Sequence, residues 1–178
     1  SPFRPSNCGL RVSWSDRMKA EFAGVPVKNV AVRFGEQASR EEFVVTERGV
    51  ESGAVFSLSL SVRDALEAAG QAVLYLDLLP DLSEDEIVRR LSKPRGKQSL
   101  SNHLRKVLNL SGVKRALLFE FGGLDAADAP DQMARLVKNL PVPVAGLFPL
   151  DEAISTDGGI SFDALDDHFM LKDRPGQF

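Results

Sequence analysis

Two short segments combine glycine with hydroxyl and carboxylate side chains at spacings that could hold a ligand. The first, Thr-Glu-Arg-Gly-Val-Glu-Ser-Gly, contributes Thr46, Gly49, Glu51, Ser52 and Gly53. It lies between a run of β-formers and an apolar helical stripe. A helix start there would aim backbone N–H groups and a positive dipole end at an anion or a flat ligand. An ordinary strand-to-helix connection has the same composition. The second segment, around Ser155 to Ser161, contributes Thr156, Gly158 and Gly159. Adjacent glycines permit backbone angles and approach distances that a Cβ forbids, which suits a planar ligand. Asp157-Gly158 between two β-runs is first of all a hairpin signal.

Other chemistry is sparse. No G-x-G-x-x-G follows a strand, and no G-x-x-x-x-G-K-[ST] is present, so the usual dinucleotide and nucleotide cradles are missing from this chain. The pair Gly122-Gly123 in "FGGLDAAD" joins two helical patterns and reads as a turn. Asp163, Asp166, Asp167 and His168 crowd one stretch without a recognised ligand spacing, which reads as an acidic solvated face and not a metal site. His103 sits on a basic helical segment and is expected at the surface or half-buried. No nucleophile elbow is found, Cys8 reads as a quiet thiol, and no catalytic residue is assigned.

The lone cysteine excludes an internal disulfide and suits a reducing compartment. No apolar run of about 18 residues is long enough to span a membrane, and no secretory signal opens the chain. Cytoplasmic location is the expectation. A hydrophobic fraction of 43% and a charged fraction of 26% are ordinary for a soluble globular chain. The net charge of −3 conceals an asymmetry, because nine Lys/Arg and no acid lie between Arg89 and Arg115, leaving 13 basic against 25 acidic residues elsewhere. Such a strip either contacts phosphates or forms a solvated helical face.

The elements that would position these residues read as follows. "CGLRVSW", "VKNVAVRF", "EFVVT" and "QAVLYLDLLP" alternate as strands. "SGAVFSLSLSVRDALEAAG" alternates at its start but also repeats at three and four through Val55, Leu58, Val62, Leu66 and Ala69; its length and terminal Gly70 favour a helix. Ser83-x-x-Glu86 is a capping box opening a helix. Two more follow over "SLSNHLRKVL" and, capped by Ser111, "SGVKRALLFEF". A fourth starts at Asp128 and Pro130 and ends by Pro141. Strand signals return after Pro143, in "VPVAGLFP", "EAIST" and "GGISF". The expected class is α+β: a small β-barrel, residues 1–81 and 141–178, interrupted by a helical-bundle subdomain, 82–140.

Four blocks carry a family resemblance: Asn7 to Ser15, Phe43 to Ser59, Leu76 to Ser83 and Ala153 to Met170. Together they resemble the inserted part of NAD(P)/FAD-dependent flavoprotein oxidoreductases, a group that includes bile-acid-dehydratase-like and aminoacetone-oxidase-like members. The group's A-x-x-T-x-G-G-V motif reads here as Ala153-Ile154-Ser155-Thr156-Asp157-Gly158-Gly159-Ile160, and its "MES" as Met170-Leu171-Lys172. Where many members have T-x-x-G-[IV]-S-G-P, Val50 is followed here by Glu51-Ser52-Gly53, which marks a separate branch.

The resemblance implies a substrate-side domain inserted in a Rossmann-type FAD-binding domain of the same parent chain. It would cover the flavin and shape the pocket of a small-molecule substrate. Thr156, Gly158 and Gly159 would lie near FAD, and Thr46, Gly49, Glu51, Ser52 and Gly53 on the substrate side. NAD(P)H is the implied partner cofactor, and the chain alone is expected to bind no FAD and turn over nothing. The alternative from the residues themselves is a nucleic-acid-binding module using the strip from Arg89 to Arg115.

Overall fold

The computed structural model describes residues 1–123 and 129–174. Short strands build its first half: β1 (Arg4–Asn7), β2 (Leu10–Arg11), β3 (Pro26–Val27), β4 (Ala31–Phe34), β5 (Gln37–Ser39), β6 (Phe43–Val45), β7 (Gly49–Glu51) and β8 (Ala72–Asp77). Helix α1 (Asp16–Phe22) follows β2, and the long α2 (Gly53–Ala69) follows β7. Then come α3 (Glu84–Leu91), α4 (Leu100–Leu108), α5 (Gly112–Phe121) and α6 (Pro130–Lys138). Strands β9 (Leu140–Val144), β10 (Gly146–Leu147) and β11 (Ser155–Asp157) close the order, with single 3-10 turns at Leu150–Glu152 and Phe162–Ala164.

Every strand pairing among the described residues is antiparallel. One sheet runs β10-β2-β7-β6-β3, a second runs β5-β4-β8-β9, and β1 pairs with β11. In β8, Ala72, Leu74 and Leu76 point inward and alternate with half-buried residues, the period-2 pattern of a one-sided strand. The two sheets share one interior: Phe43 and Val50 of the first, Val32, Leu74 and Val142 of the second, and Val55 and Leu117 of α2 and α5 all border the same small void. Helix α2 packs against both sheets, burying Val55, Leu58 and Val62. Each such side chain contributes about 1.5–3 kcal/mol. Gly70 ends α2 in a left-handed conformation (φ 69°).

The helical block leaves β8 and returns in β9, and those two strands pair directly, Leu74 with Val142 and Leu76 with Leu140. The Ser83 hydroxyl accepts the Glu86 N–H at 3.2 Å, while the Glu86 carboxylate turns to Arg89 and Arg90. Ser99 caps α4 through the Asn102 N–H. Ile87, Leu91, Leu104, Leu108, Leu117, Met133 and Val137 join the same continuous core as the sheets. Among the described residues no helix is long and apolar enough to cross a membrane.

Several expectations need correction. The strand expected after Pro143 starts at Leu140, with Pro141 and Pro143 inside it. β9 is an edge strand, so two missing N–H donors on its outer side are tolerated. "GGISF" forms no strand, and only its last residue enters the 3-10 turn Phe162–Ala164; "VKNVAVRF" splits into β3 and β4 around Asn29, whose φ is 48°. Ser111 stands at the N-terminus of α5 without a side-chain cap bond. Pro130 opens α6 as expected, but Asp128 lies outside the described residues. Besides the 3-10 turns, four elements were not anticipated: α1, capped by Ser15 on the Met18 N–H, and the short strands β1, β5 and β7.

Candidate functional site

The glycine pair of the second segment lies beside the first residues of the chain. Strand β11 pairs with β1, Thr156 opposite Pro5 and Asp157 opposite Arg4, with a bulge between Pro5 and Asn7. The Ser155 hydroxyl donates to the Asn7 side-chain oxygen at 2.6 Å, and the Ile154 N–H donates to the Asn7 carbonyl at 2.8 Å. Beyond the strands, the Gly159 N–H donates to the Ser1 carbonyl at 3.0 Å, and the chain's amino group donates to the Gly159 carbonyl at 2.7 Å. Gly158 has φ +105°, and a Cβ there would lie 2.2 Å from the Pro2 carbonyl oxygen. The Asp-Gly hairpin expected locally is therefore not formed. The close approach these glycines permit is that of residues 1–3.

A buried cation lies beneath this ribbon. Arg63 of α2 is 2% exposed. Its guanidinium donates to the Pro5 carbonyl at 2.9 Å, to Asp64 at 2.9 and 3.1 Å, and to Asp157 at 2.9 Å. Burial alone would lower its pKa, but the hydrogen bonds to Asp64 and Asp157 outweigh it and raise it. Arg4 reaches Asp157 and Glu67 from the open side. The Asp157 carboxyl is held below its ordinary value, chiefly by the Arg63 hydrogen bond and then by Arg4.

One helical turn back, the Ser59 hydroxyl lies 2.8 Å from the Ser6 carbonyl oxygen and accepts the Cys8 N–H. Burial pushes the Cys8 thiol up, with Ser59 and Arg63 opposing, which disfavours the reactive thiolate. Ser59, Arg63 and Glu67 thus form an i, i+4, i+8 polar stripe along α2 that holds the ribbon. Sequence reading missed it. The signal was the four-residue spacing of Ser59, Arg63 and Glu67 along α2.

The first segment is a hairpin, a strand and a helix start in turn. Thr46 to Gly49 turns β6 into β7: the Thr46 N–H donates to the Gly49 carbonyl at 2.8 Å, and the Gly49 N–H to Thr46 Oγ1 at 3.1 Å. A Cβ on Gly49 would lie 1.9 Å from the Leu10 carbonyl oxygen of the neighbouring strand, so the sheet itself requires glycine there. At the turn, Arg48 pairs with Glu152 through two hydrogen bonds and stacks over the Phe148 ring at 4.6 Å. This fastens the turn to the chain leading into β11. Glu152 is held low by Arg48, and the Arg48 pKa is raised by Glu152, with Glu51 adding to the field.

Ser52 has φ 72° and ψ 171°, an angle pair normally left to glycine, and Gly53 (φ +29°) lies against the Glu42 carbonyl. The Ala54 N–H donates to that carbonyl, and the Val55 and Phe56 N–H groups to the Ser52 carbonyl. Those three donors at the start of α2 are therefore occupied within the chain. The ten-residue interval from Gly53 to Arg63 spans about 15 Å of helix, so the two segments meet α2 roughly three turns apart.

Most of the exposed large apolar side chains lie near the start of the chain or after β10. Of seven exposed large apolar side chains among the described residues, Phe3, Leu150, Ile154, Ile160, Phe162 and Phe169 belong to the ribbon or to chain after β10; Phe162 is 81% exposed.

The remaining sequence candidates are placed elsewhere. Arg89 and Arg90 are bound to Glu86, and the half-buried Lys114 donates to the Asn29 and Leu78 carbonyls. His103 is buried, not at the surface, with Nε2 3.2 Å from the Leu91 carbonyl oxygen. Asp166 accepts the His168 and Met170 N–H groups in a local turn. No group of three or more His, Cys, Asp or Glu fit to hold a metal exists among the described residues.

Residues 4–155 match the family model described as the HI0933-like protein barrel and H2TH domain. The two-sheet body, the four-helix excursion and the β1/β11 pairing all fall in or at the edge of that span. The chain belongs to this HI0933-like barrel and H2TH family, which is associated with FAD-dependent oxidoreductases.

Proposed function

We propose that this chain is the substrate-side domain inserted in an FAD-dependent oxidoreductase of the cytoplasm, in a branch where Glu51 stands in place of serine. The β1/β11 ribbon carries this reading. It brings both ends of the domain together, the arrangement a domain inserted in another needs. An FAD-binding domain docked there would cover Phe162 and its exposed neighbours. Thr46, Gly49, Glu51, Ser52 and Gly53 would border the substrate, with Thr156, Gly158 and Gly159 near the flavin.

The residues of this chain do not by themselves form an FAD cradle. The space beside Gly158 is filled by Pro2, and the Ala54, Val55 and Phe56 N–H groups of α2 are occupied. Holding the pyrophosphate falls to the partner domain. FAD would supply the redox chemistry and NAD(P)H the reducing equivalents. The nucleic-acid alternative is weakened because Arg89, Arg90 and Lys114 of its strip are engaged within the fold.

Flavin-fluorescence titration tests the reading. The chain alone is expected to bind no FAD, and the protein carrying it together with the FAD-binding domain to retain FAD and bleach on adding NAD(P)H. Tight FAD binding by the chain alone, or a whole protein that holds no flavin, overturns it.

A further inference from the structure

We infer that the cleft between α1 and α5 binds a small amphipathic organic anion, its acidic end on Arg115 and its apolar body on Met18, Phe22 and Phe119. The cleft encloses about 230 Å³. It lies where the helical block meets the β-rich part, a common position for ligand pockets. It shares no residue with the segments at 46–53 or 156–159, so the inference stands apart from the flavin reading.

The charges of the cleft decide the ligand's sign. Four ionic side chains border it, two of each sign. Glu120 accepts the Ser15 N–H at 2.5 Å and the Ser15 hydroxyl at 2.8 Å. Glu21 accepts both hydrogen bonds of Arg17, at 3.0 and 3.4 Å. Arg115, half-buried, has no side-chain hydrogen bond or ion pair among the described residues. A guanidinium in a concave wall with its donors unmatched favours an acidic group, which it can take through two parallel hydrogen bonds. Two further residues that carry donors line the same space: Ser101 and, at the start of α5, Gly112, where Ser111 makes no side-chain cap bond. The cleft lining is also apolar, with Met18 fully buried and Phe22 and Phe119 half-buried. A charged end joined to an apolar ring or short chain matches both halves. A bare inorganic anion matches only one.

The test is an amide and methyl NMR titration of the chain with phenyl phosphate, beside inorganic phosphate and benzyl alcohol as its two halves. Phenyl phosphate is expected to shift resonances of Met18, Ser101, Gly112 and Ala116, with a Kd of roughly 1 mM or tighter, and each half-ligand to bind more weakly. Arg115→Gln should weaken binding at least about tenfold. Arg115→Lys, which keeps the charge without the fork, should fall between, and Phe119→Ala should weaken phenyl phosphate but not inorganic phosphate. A cooperative unfolding transition and native amide dispersion show that the variants are folded. The inference fails if phenyl phosphate binds no better than inorganic phosphate, if folded Arg115→Gln binds as well as the parent, or if the shifts centre outside α1, α4 and α5.

Discussion

Arg63 and Asp157, 94 positions apart in the chain, are joined by a 2.9 Å hydrogen bond between α2 and β11. The same guanidinium holds the Pro5 carbonyl of β1, so one side chain fixes both strands of the ribbon to the body of the fold. Arg63→Met keeps the apolar stem and removes the fork, leaving Asp157 and the Pro5 carbonyl without their buried donor. Breaking such a pair costs about 3–5 kcal/mol when both partners are buried. Because Asp157 is partly open to water, the expected loss is about 2–4 kcal/mol, read from urea unfolding. A loss no larger than that of an exposed arginine would contradict the role given to Arg63.

Acid should loosen the same region. Asp157 and Glu152 both have carboxyls held below their ordinary values, by Arg63 and Arg48 respectively. In the window below the unfolded carboxylate pKa, about 4, the unfolded chain binds protons that the folded chain does not. Their contribution is therefore complete above that value and is lost as pH falls through the depressed folded values. Urea midpoints measured from pH 6 down to pH 3 should fall on the acid side, and Asp157→Asn should flatten that fall. An unchanged acid slope in Asp157→Asn would count against the pairing.

Gly158→Ala tests the packing of the chain's first residues. A Cβ at this position meets the Pro2 carbonyl, and φ of +105° is strained for any L side chain. The ribbon end should open, and exchange of the Ile154 amide, which donates to the Asn7 carbonyl, should accelerate roughly tenfold or more for a local cost of about 1–3 kcal/mol. Gly24→Ala, whose surroundings are open, should leave that amide unchanged.

Ser83→Ala should cost about 1 kcal/mol, because its hydroxyl is the acceptor for the Glu86 N–H. The loss should show as a lower thermal midpoint without a change in secondary-structure content.

What could be read from residues alone follows the range of the forces involved. Helix α3 was legible because its cap, acidic first turn and basic last turn are all local. Helix α2 was legible from its apolar spacing and Gly70. β1 was not, since Arg4-Pro5-Ser6-Asn7 has no apolar alternation and its partners lie some 150 residues away. Helix α1, at seven residues with Met18 alone fully buried, carries too short a stripe to register. Within the segment at 155–159 the glycines showed that something approaches closely, but not that it is Pro2 and Phe3 of the same chain. Arg63 was not visible, because an arginine in a helix reads as solvated until its distant carboxylate is known.

The central claim is that the ribbon end faces an FAD-binding domain, and thiol labelling at Phe162→Cys tests it most directly. Cys8, the natural thiol, is buried and stays silent. In the isolated chain the new thiol at this 81% exposed position should react with a maleimide at the rate of a free peptide. In the protein carrying its FAD-binding domain, the account predicts a rate lower by roughly tenfold or more, as at the dry centre of an interface. Equal rates in the two proteins would contradict it.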